Sequence, residues 1–379
     1  MPPRSLAAPS DQVSSRLLEM SDHSPTNPDS VGALRAIDAS LNRAAEGLRV
    51  VEDYARFVLD DGLLTAFAKR LRHELADASS GLPGDSLVKA RETQRDVGAS
   101  ISTEAEGQRG DAWMVALASL KRVQQSLRSL EEYSKIGGAD VAGRFETLRY
   151  ESYTLEKALA ATRSAIERFD GVRLYVLVGA CGDAREFESL VVALMAGGAQ
   201  ALQLRDKQAD DRTLLARARA LVALTRQAGV LAIVNDRPDL ATLARADGVH
   251  VGQTELGVKE ARTIVGPNAL VGVSTHTIEQ ARAAVLDGAD YIGCGPTFPS
   301  QTKSFDAFAG LAFLEQVAAE VRLPAFAIGG VDAANLPQVL QTGCSRVAVS
   351  AAVAQAADPG AAAKLLAKAL TPDNAAAAS

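Results

Sequence analysis

The chain has 379 residues, 47% of them hydrophobic, and a formal net charge of -6. That length and apolar share supply cores for two domains, and the mild acidity argues against general nucleic-acid affinity, which needs a basic face. Cys181, Cys294 and Cys344 show no CxxC spacing, so neither a disulfide framework nor a zinc knuckle is supported, and a reducing cytoplasm is expected.

The first segment, 1–30, lacks the continuous apolar core of a signal peptide, and no run in the chain approaches the ~20 apolar residues of a membrane span. It reads as a disordered arm. Over 31–170 apolar residues recur three and four apart in stretches rich in Ala, Leu, Arg and Glu, which predicts an all-α domain. An ungapped repeat lies inside it: "ASLNRAAEGLRVVEDYAR" at 39–56 returns as "ASLKRVQQSLRSLEEYSK" at 118–135. It pairs Arg43 with Arg122, Arg49 with Arg128, Glu52 with Glu131 and Tyr54 with Tyr133. Two related helices facing each other in a bundle are expected. Arg43, Glu46, Arg49, Glu52 and Asp53, at helical spacing, are read as ion pairs within and between helices.

Over 171–372 the rhythm changes to short β-branched runs separated by helical segments. The runs are "LYVLVG", "ALQLRD", "LAIVND", "GVHVG", "LVGVST", "YIGCG", "AFAIGG" and "RVAVSA". Eight such runs over roughly 200 residues predict a (β/α)8 TIM barrel, with chemistry at the C-terminal ends of the strands. An open doubly wound sheet would not usually need eight evenly punctuated units.

The residues at those strand ends are polar. In chain order they are Gln203, Arg205 and Lys207; Asn235 and Asp236; Gln253 and Glu255; Ser274 and His276; Ser300 to Lys303; Gly329 and Gly330; and Ser350. Cations, two carboxylates, hydroxyls and glycines around one mouth would hold a metal-bound polyphosphate and a second phosphate. Each has a plainer reading: Arg205 pairing with Asp206, Asp236 capping the helix at Pro238, Glu255 as a solvated loop charge. Glycines allow close backbone approach to an anion, so a phosphate is expected at Gly330, Val349 and Ser350. The loop "GPTFPSQTK" then lies between two anions, with Ser300 and Thr302 toward one and Lys303 toward the other. His250, in mid-strand, reads as a hydrogen-bonded barrel residue.

In order, "QLRDK", "VNDR", "GVHVGQ", "GVSTHT", "GPTFPSQTK", "AIGGV" and "AVSAAV" resemble thiamine phosphate synthase, and the resemblance covers 174–370. It implies joining of 4-amino-2-methyl-5-hydroxymethylpyrimidine diphosphate to a thiazole phosphate, with release of diphosphate. By that resemblance Gln203, Leu204, Arg205, Asp206, Lys207 and Asn235 hold the pyrimidine diphosphate, and Asp236 and Glu255 bind Mg2+. Ser274 and Lys303 match diphosphate contacts. Ser300, Gln301, Thr302, Gly330, Val349 and Ser350 match the thiazole phosphate site. Glu255 stands where the family usually has Asp, and Ser300 where it often has Thr. Arg205, Lys207 and Lys303 carry the charge stabilisation of the leaving group. The partners implied are these small molecules, and a homo-oligomer is compatible with the sequence.

Two other functions keep the barrel. A thiazole tautomerase would need the phosphate site without the diphosphate and magnesium groups, and Arg205, Lys207, Asp236, Glu255 and Lys303 speak against it. A non-catalytic thiazole phosphate sensor would use the helical half as its output. That half, through "NRAAEGLRVVEDYARF", resembles a helical domain fused ahead of thiamine phosphate synthase in some bacteria, for which a pyrimidine monophosphate kinase role has been proposed. It contains no P-loop pattern, and an interaction module is equally compatible.

Overall fold

The computed structural model describes residues 28–92, 108–136, 139–179, 182–299 and 309–371. The chain divides into two compact units, 1–159 and 160–379.

In the first unit, helix α1 (Pro28–Phe57) already includes the last three residues of the segment expected to be a disordered arm. Asp29 stands in its first turn, where a carboxylate complements the helix dipole. Ala44, Leu48, Val51 and Ala55 make its buried stripe. Helices α2 (Gly62–Ser79) and α3 (Gly84–Ala90) follow, then α4 (Ala112–Ser134) and α5 (Ala139–Arg168), the last of which continues past residue 159 into the second unit's residues. Asp111 caps α4, accepting from Met114 N at 2.7 Å. The repeat places α1 against α4, and a Cβ on Gly47 would lie 2.6 Å from Val123 Cγ2 and 3.0 Å from Ser119 O.

The repeat extends to its charges. Glu52 and Glu131, 5% and 4% exposed, are each held by the arginine three residues earlier and by one on the following helix. Arg49 and Arg72 approach Glu52 at 3.8 and 3.0 Å, while Arg128 and Arg149 approach Glu131 at 2.6 and 3.0 Å. Arg49 also reaches Asp53 at 3.6 Å. Of the five charges read as ion pairs, Arg49, Glu52 and Asp53 are therefore paired as the spacing implies.

In the second unit eight parallel strands close in sequence order into a barrel. They are β1 (Leu174–Val178), β2 (Ala201–Leu204), β3 (Leu231–Asn235), β4 (Gly248–Val251), β5 (Leu270–Thr275), β6 (Tyr291–Cys294), β7 (Ala325–Ile328) and β8 (Val347–Val349). Closure comes from β1 on β8, with Tyr175 opposite Ala348. Helices cover the outside, so most strand residues are buried on both faces and the strands read as continuous apolar runs. Helix α6 (Ala184–Ala196) and helix α7 (Asp211–Ala228) follow β1 and β2, and α7 is capped by Asp210.

The barrel interior carries an aromatic plug. Phe169, just ahead of β1, packs on Tyr291 at 5.1 Å and on Phe326 at 5.7 Å between ring centroids. Tyr291 fits because β5 offers a glycine beneath it: a Cβ on Gly272 would stand 2.0 Å from Tyr291 Cζ.

Candidate active site

The β2 end supplies the cations. Arg205 follows the strand, its backbone N–H donating to Val178 O at 2.8 Å, and Lys207 lies two residues beyond it. Between them the Asp206 carboxylate is committed to the protein. Its Oδ1 accepts from Gln208 N at 3.0 Å and Ala209 N at 3.1 Å, and its Oδ2 from Arg217 Nη1 of α7 at 2.6 Å. Asp206 pairs with Arg217 and not with Arg205, and it shapes the turn that carries Lys207. Leu204 buries its side chain completely.

The β3 end supplies Asn235 and Asp236. Asp236 adopts a left-handed backbone, φ 62°, a conformation that costs a non-glycine residue energy and concentrates at functional positions. Its N–H donates to His250 O at 2.8 Å, and its Oδ2 lies 3.4 Å from Lys207 Nζ. Past β4, exposed Glu255 folds its carboxylate over Gly252, where a Cβ would meet Oε2 at 2.3 Å. Asp236 and Glu255 thus stand past the ends of the neighbouring strands β3 and β4, and carboxylate oxygens are the hard donors that suit a divalent cation completed by phosphate and water. Among the described residues no group of three His, Cys, Asp or Glu side chains could cage a metal. Two carboxylates leave most positions around a hard cation to substrate and water.

Ser274 at the end of β5 is held from two sides. Its Oγ is 3.0 Å from His250 Nε2, and its carbonyl accepts from Gln253 Nε2 at 2.6 Å. His250 Nδ1 lies 3.2 Å from Tyr291 Oη; that hydroxyl lies 3.1 Å from Tyr175 Oη, which accepts from Gln203 Nε2 at 2.6 Å. Burial, helped by the charge of Arg205, pulls the His250 imidazole down to about 4, so it is neutral near pH 7. Burial also pushes both phenols well above their ordinary value. His250 is thus the hydrogen-bonded barrel residue that its mid-strand position implied. Tyr175 and Tyr291 escaped the sequence reading, although a tyrosine inside a fully buried strand signals that its hydroxyl has a partner.

The last strands form the second half of the mouth. After β6 the chain turns through a cis Gly295–Pro296 bond, with His276 Nδ1 2.5 Å from Gly295 O. Thr297 N donates to Ile328 O at 2.9 Å, and Phe298 N to Gly329 O at 2.9 Å, which ties this turn to the end of β7. Gly330 has φ 69°, and a Cβ there would meet Pro299 O at 2.7 Å and Phe298 O at 2.8 Å, so only glycine fits without strain. Its carbonyl accepts from Asn335 Nδ2 at 2.8 Å. Val349 is buried, and Ser350 follows it at the start of a short helical turn (Ala351–Ala354), its carbonyl accepting from Val353 N and Ala354 N. Ser300, Gln301, Thr302 and Lys303 lie outside the described residues.

Fold and site define a (β/α)8 barrel enzyme architecture whose strand ends gather cationic, carboxylate, hydroxyl and glycine groups on one mouth. The family model described as "Thiamine monophosphate synthase" matches 174–353, and the one described as "ThiD2 family" matches 35–158. A thiamine-phosphate synthase of Rhodopirellula baltica is 44% identical over 338 residues, 87% of this chain and 90% of that protein. One from Thermosynechococcus vestitus is 40% identical over 327 residues, 86% of this chain and 91% of that protein. A solved thiamine phosphate pyrophosphorylase from Pyrococcus furiosus is 37% identical, covering 52% of this chain and 95% of that chain with a TM-score of 0.47. The chain belongs to the thiamine-phosphate synthase family.

Proposed function

We propose that the barrel transfers the pyrimidinylmethyl group of 4-amino-2-methyl-5-hydroxymethylpyrimidine diphosphate to the ring nitrogen of a thiazole phosphate, forming thiamine phosphate and diphosphate. The observation that carries this reading is the Lys207–Asp236 contact at 3.4 Å on adjoining strand ends, a cation and a carboxylate side by side where a metal-bound diphosphate needs both. Loss of diphosphate leaves a benzyl-like cation that the electron-rich aminopyrimidine stabilises, so the site needs no protein nucleophile. Its work is to hold the leaving group. Arg205, Lys207 and Lys303 supply positive charge against the departing oxygens, and Ser274 a hydroxyl. Gln203 and Asn235 face the pyrimidine, and Gly330, Val349 and Ser350, with Ser300 to Thr302, receive the thiazole phosphate. Asp236 and Glu255 would hold Mg2+, which supplies charge neutralisation on the leaving diphosphate when bound.

No helix among the described residues is long and apolar enough to cross a membrane, and we place the reaction in the cytoplasm. The test is turnover of the purified full chain with both substrates, with and without Mg2+. Asp236→Ala should nearly abolish turnover and leave the far-UV spectrum intact. Unchanged turnover, with unchanged magnesium dependence, refutes the metal assignment. Turnover of a single thiazole substrate without the pyrimidine diphosphate would replace the reading with the tautomerase.

A further inference from the structure

The barrel interior holds a continuous string of side chains, Gln203, Tyr175, Tyr291, His250 and Ser274, joined by the four hydrogen bonds given above. Its interior members are buried: Gln203 and Tyr175 are 2% exposed, Tyr291 is 0% and His250 is 8%. Both ends belong to residues that meet the substrate in the function proposed above, and the following inference rests on that reading for its kinetic part only. A buried polar string costs stability unless every member is satisfied, and here each link constrains the next.

We propose that Tyr175 and Tyr291 are positioning residues that, through His250, fix which hydrogen-bonding atom Gln203 and Ser274 present to the pyrimidine diphosphate. Hydrogen accounting sets the sense. A neutral phenol has one hydrogen to give. Tyr175 Oη accepts from the Gln203 amide, and among the described residues Tyr291 Oη is the one other polar atom recorded against it, so its buried hydrogen goes to Tyr291 Oη. Tyr291 then gives its own to His250 Nδ1, which leaves the imidazole hydrogen on Nε2, donated to Ser274 Oγ. The serine hydroxyl, already accepting, has its hydrogen left over. At the other end the Gln203 carboxamide oxygen accepts no hydrogen bond among the described residues. Gln203 is the penultimate residue of β2, on the C-terminal side of the barrel where the mouth opens.

The result is a donor at Ser274 and an acceptor at Gln203. Diphosphate oxygens only accept, and an exocyclic amino group donates. A string running the other way would turn the serine lone pairs onto the diphosphate and the amide N–H onto the amino group. Two phenols deep in the barrel thus set the polarity of two groups at its mouth without touching the substrate and without any proton changing its owner.

The test uses 15N-labelled full chain and the ring 1H–15N correlations of its histidines, with the His250 signal identified by its loss in His250→Gln. The expected result near pH 7 is a neutral ring with its hydrogen on Nε2. Tyr291→Phe removes the donor to Nδ1, and the signal should move toward the Nδ1–H form. In kinetics, Tyr291→Phe and Tyr175→Phe should each raise KM for the pyrimidine diphosphate by about tenfold, the scale of one misdirected hydrogen bond, with KM for the thiazole phosphate within about twofold. A ring hydrogen on Nδ1 in the unaltered protein overturns the proposal, as does an Nε2–H signal that Tyr291→Phe leaves in place. An equal rise in both KM values also overturns it, since that is the mark of a general packing defect. If Tyr291→Phe does not fold, Tyr175→Phe, which cuts the string one link earlier, carries the kinetic readout, and the ring spectrum of the unaltered protein still decides the sense. Absence of turnover in the unaltered protein would strike the proposed reaction, while the ring spectra would still decide the sense of the string.

Discussion

Replacing Asp206 by alanine tests whether the turn after β2 is held from below or by substrate. The side chains of Asp206 and Arg217 are 3% and 12% exposed, and their atoms meet at 2.6 Å. Removing one partner of a buried pair costs about 3–5 kcal/mol, because the other charge is stranded. Here the low end applies, ~3 kcal/mol, since Arg217 keeps a second bond, from Nη2 to Gly182 O at 3.0 Å. For a domain of this size that converts to a fall in the barrel's Tm of roughly 6–12 °C. Differential scanning calorimetry of the full chain reads it, with the transition of the helical unit as an internal reference. Asp206→Asn should fall between, because its amide oxygen still accepts from Gln208 N and Ala209 N. Lys207 rides on the same turn, so Asp206→Ala should also raise KM for the pyrimidine diphosphate. An unchanged barrel transition together with a weakened substrate would refute the reasoning and return Asp206 to direct substrate binding.

Gly47→Leu should lower the helical unit's transition by at least ~2 kcal/mol of overpacking against Val123 and Ser119, with the barrel transition unmoved in the same scan. Ser350→Ala should weaken thiazole phosphate roughly tenfold through loss of one hydrogen bond to a charged group, and a selective rise in KM for the pyrimidine diphosphate would mean the two anion sites are exchanged. His250 falls from 6.5 to about 4 on folding, so the unfolded chain binds more protons between those values. Its contribution is complete above pH 6.5 and is lost as pH falls toward 4, a total of about 3 kcal/mol. Urea titrations from pH 7 to pH 4 should show that slope in the unaltered protein and a shallower one in His250→Gln.

The sequence by itself determined the elements. The eight runs from "LYVLVG" to "RVAVSA" became eight strands because a buried parallel strand is a short apolar run whatever lies beside it. The repeat made α1 and α4 legible as partners, and the mid-strand position of His250 gave its role. The strand runs and the place of His250 are local signals, carried by residues within a strand of one another, and the repeat is read by laying one segment of the chain over another. What the tertiary structure alone decided is partnership. Asp206 had Arg205 beside it in sequence and took Arg217 from α7, because the turn after β2 faces that helix. Tyr175 and Tyr291, 116 residues apart, meet only because β1 and β6 sit across a closed barrel and Gly272 leaves room for the second ring. No periodicity records such a meeting: a side chain's pattern reports whether it is buried, and its hydrogen-bond partner depends on which distant strands the closure of the sheet brings opposite.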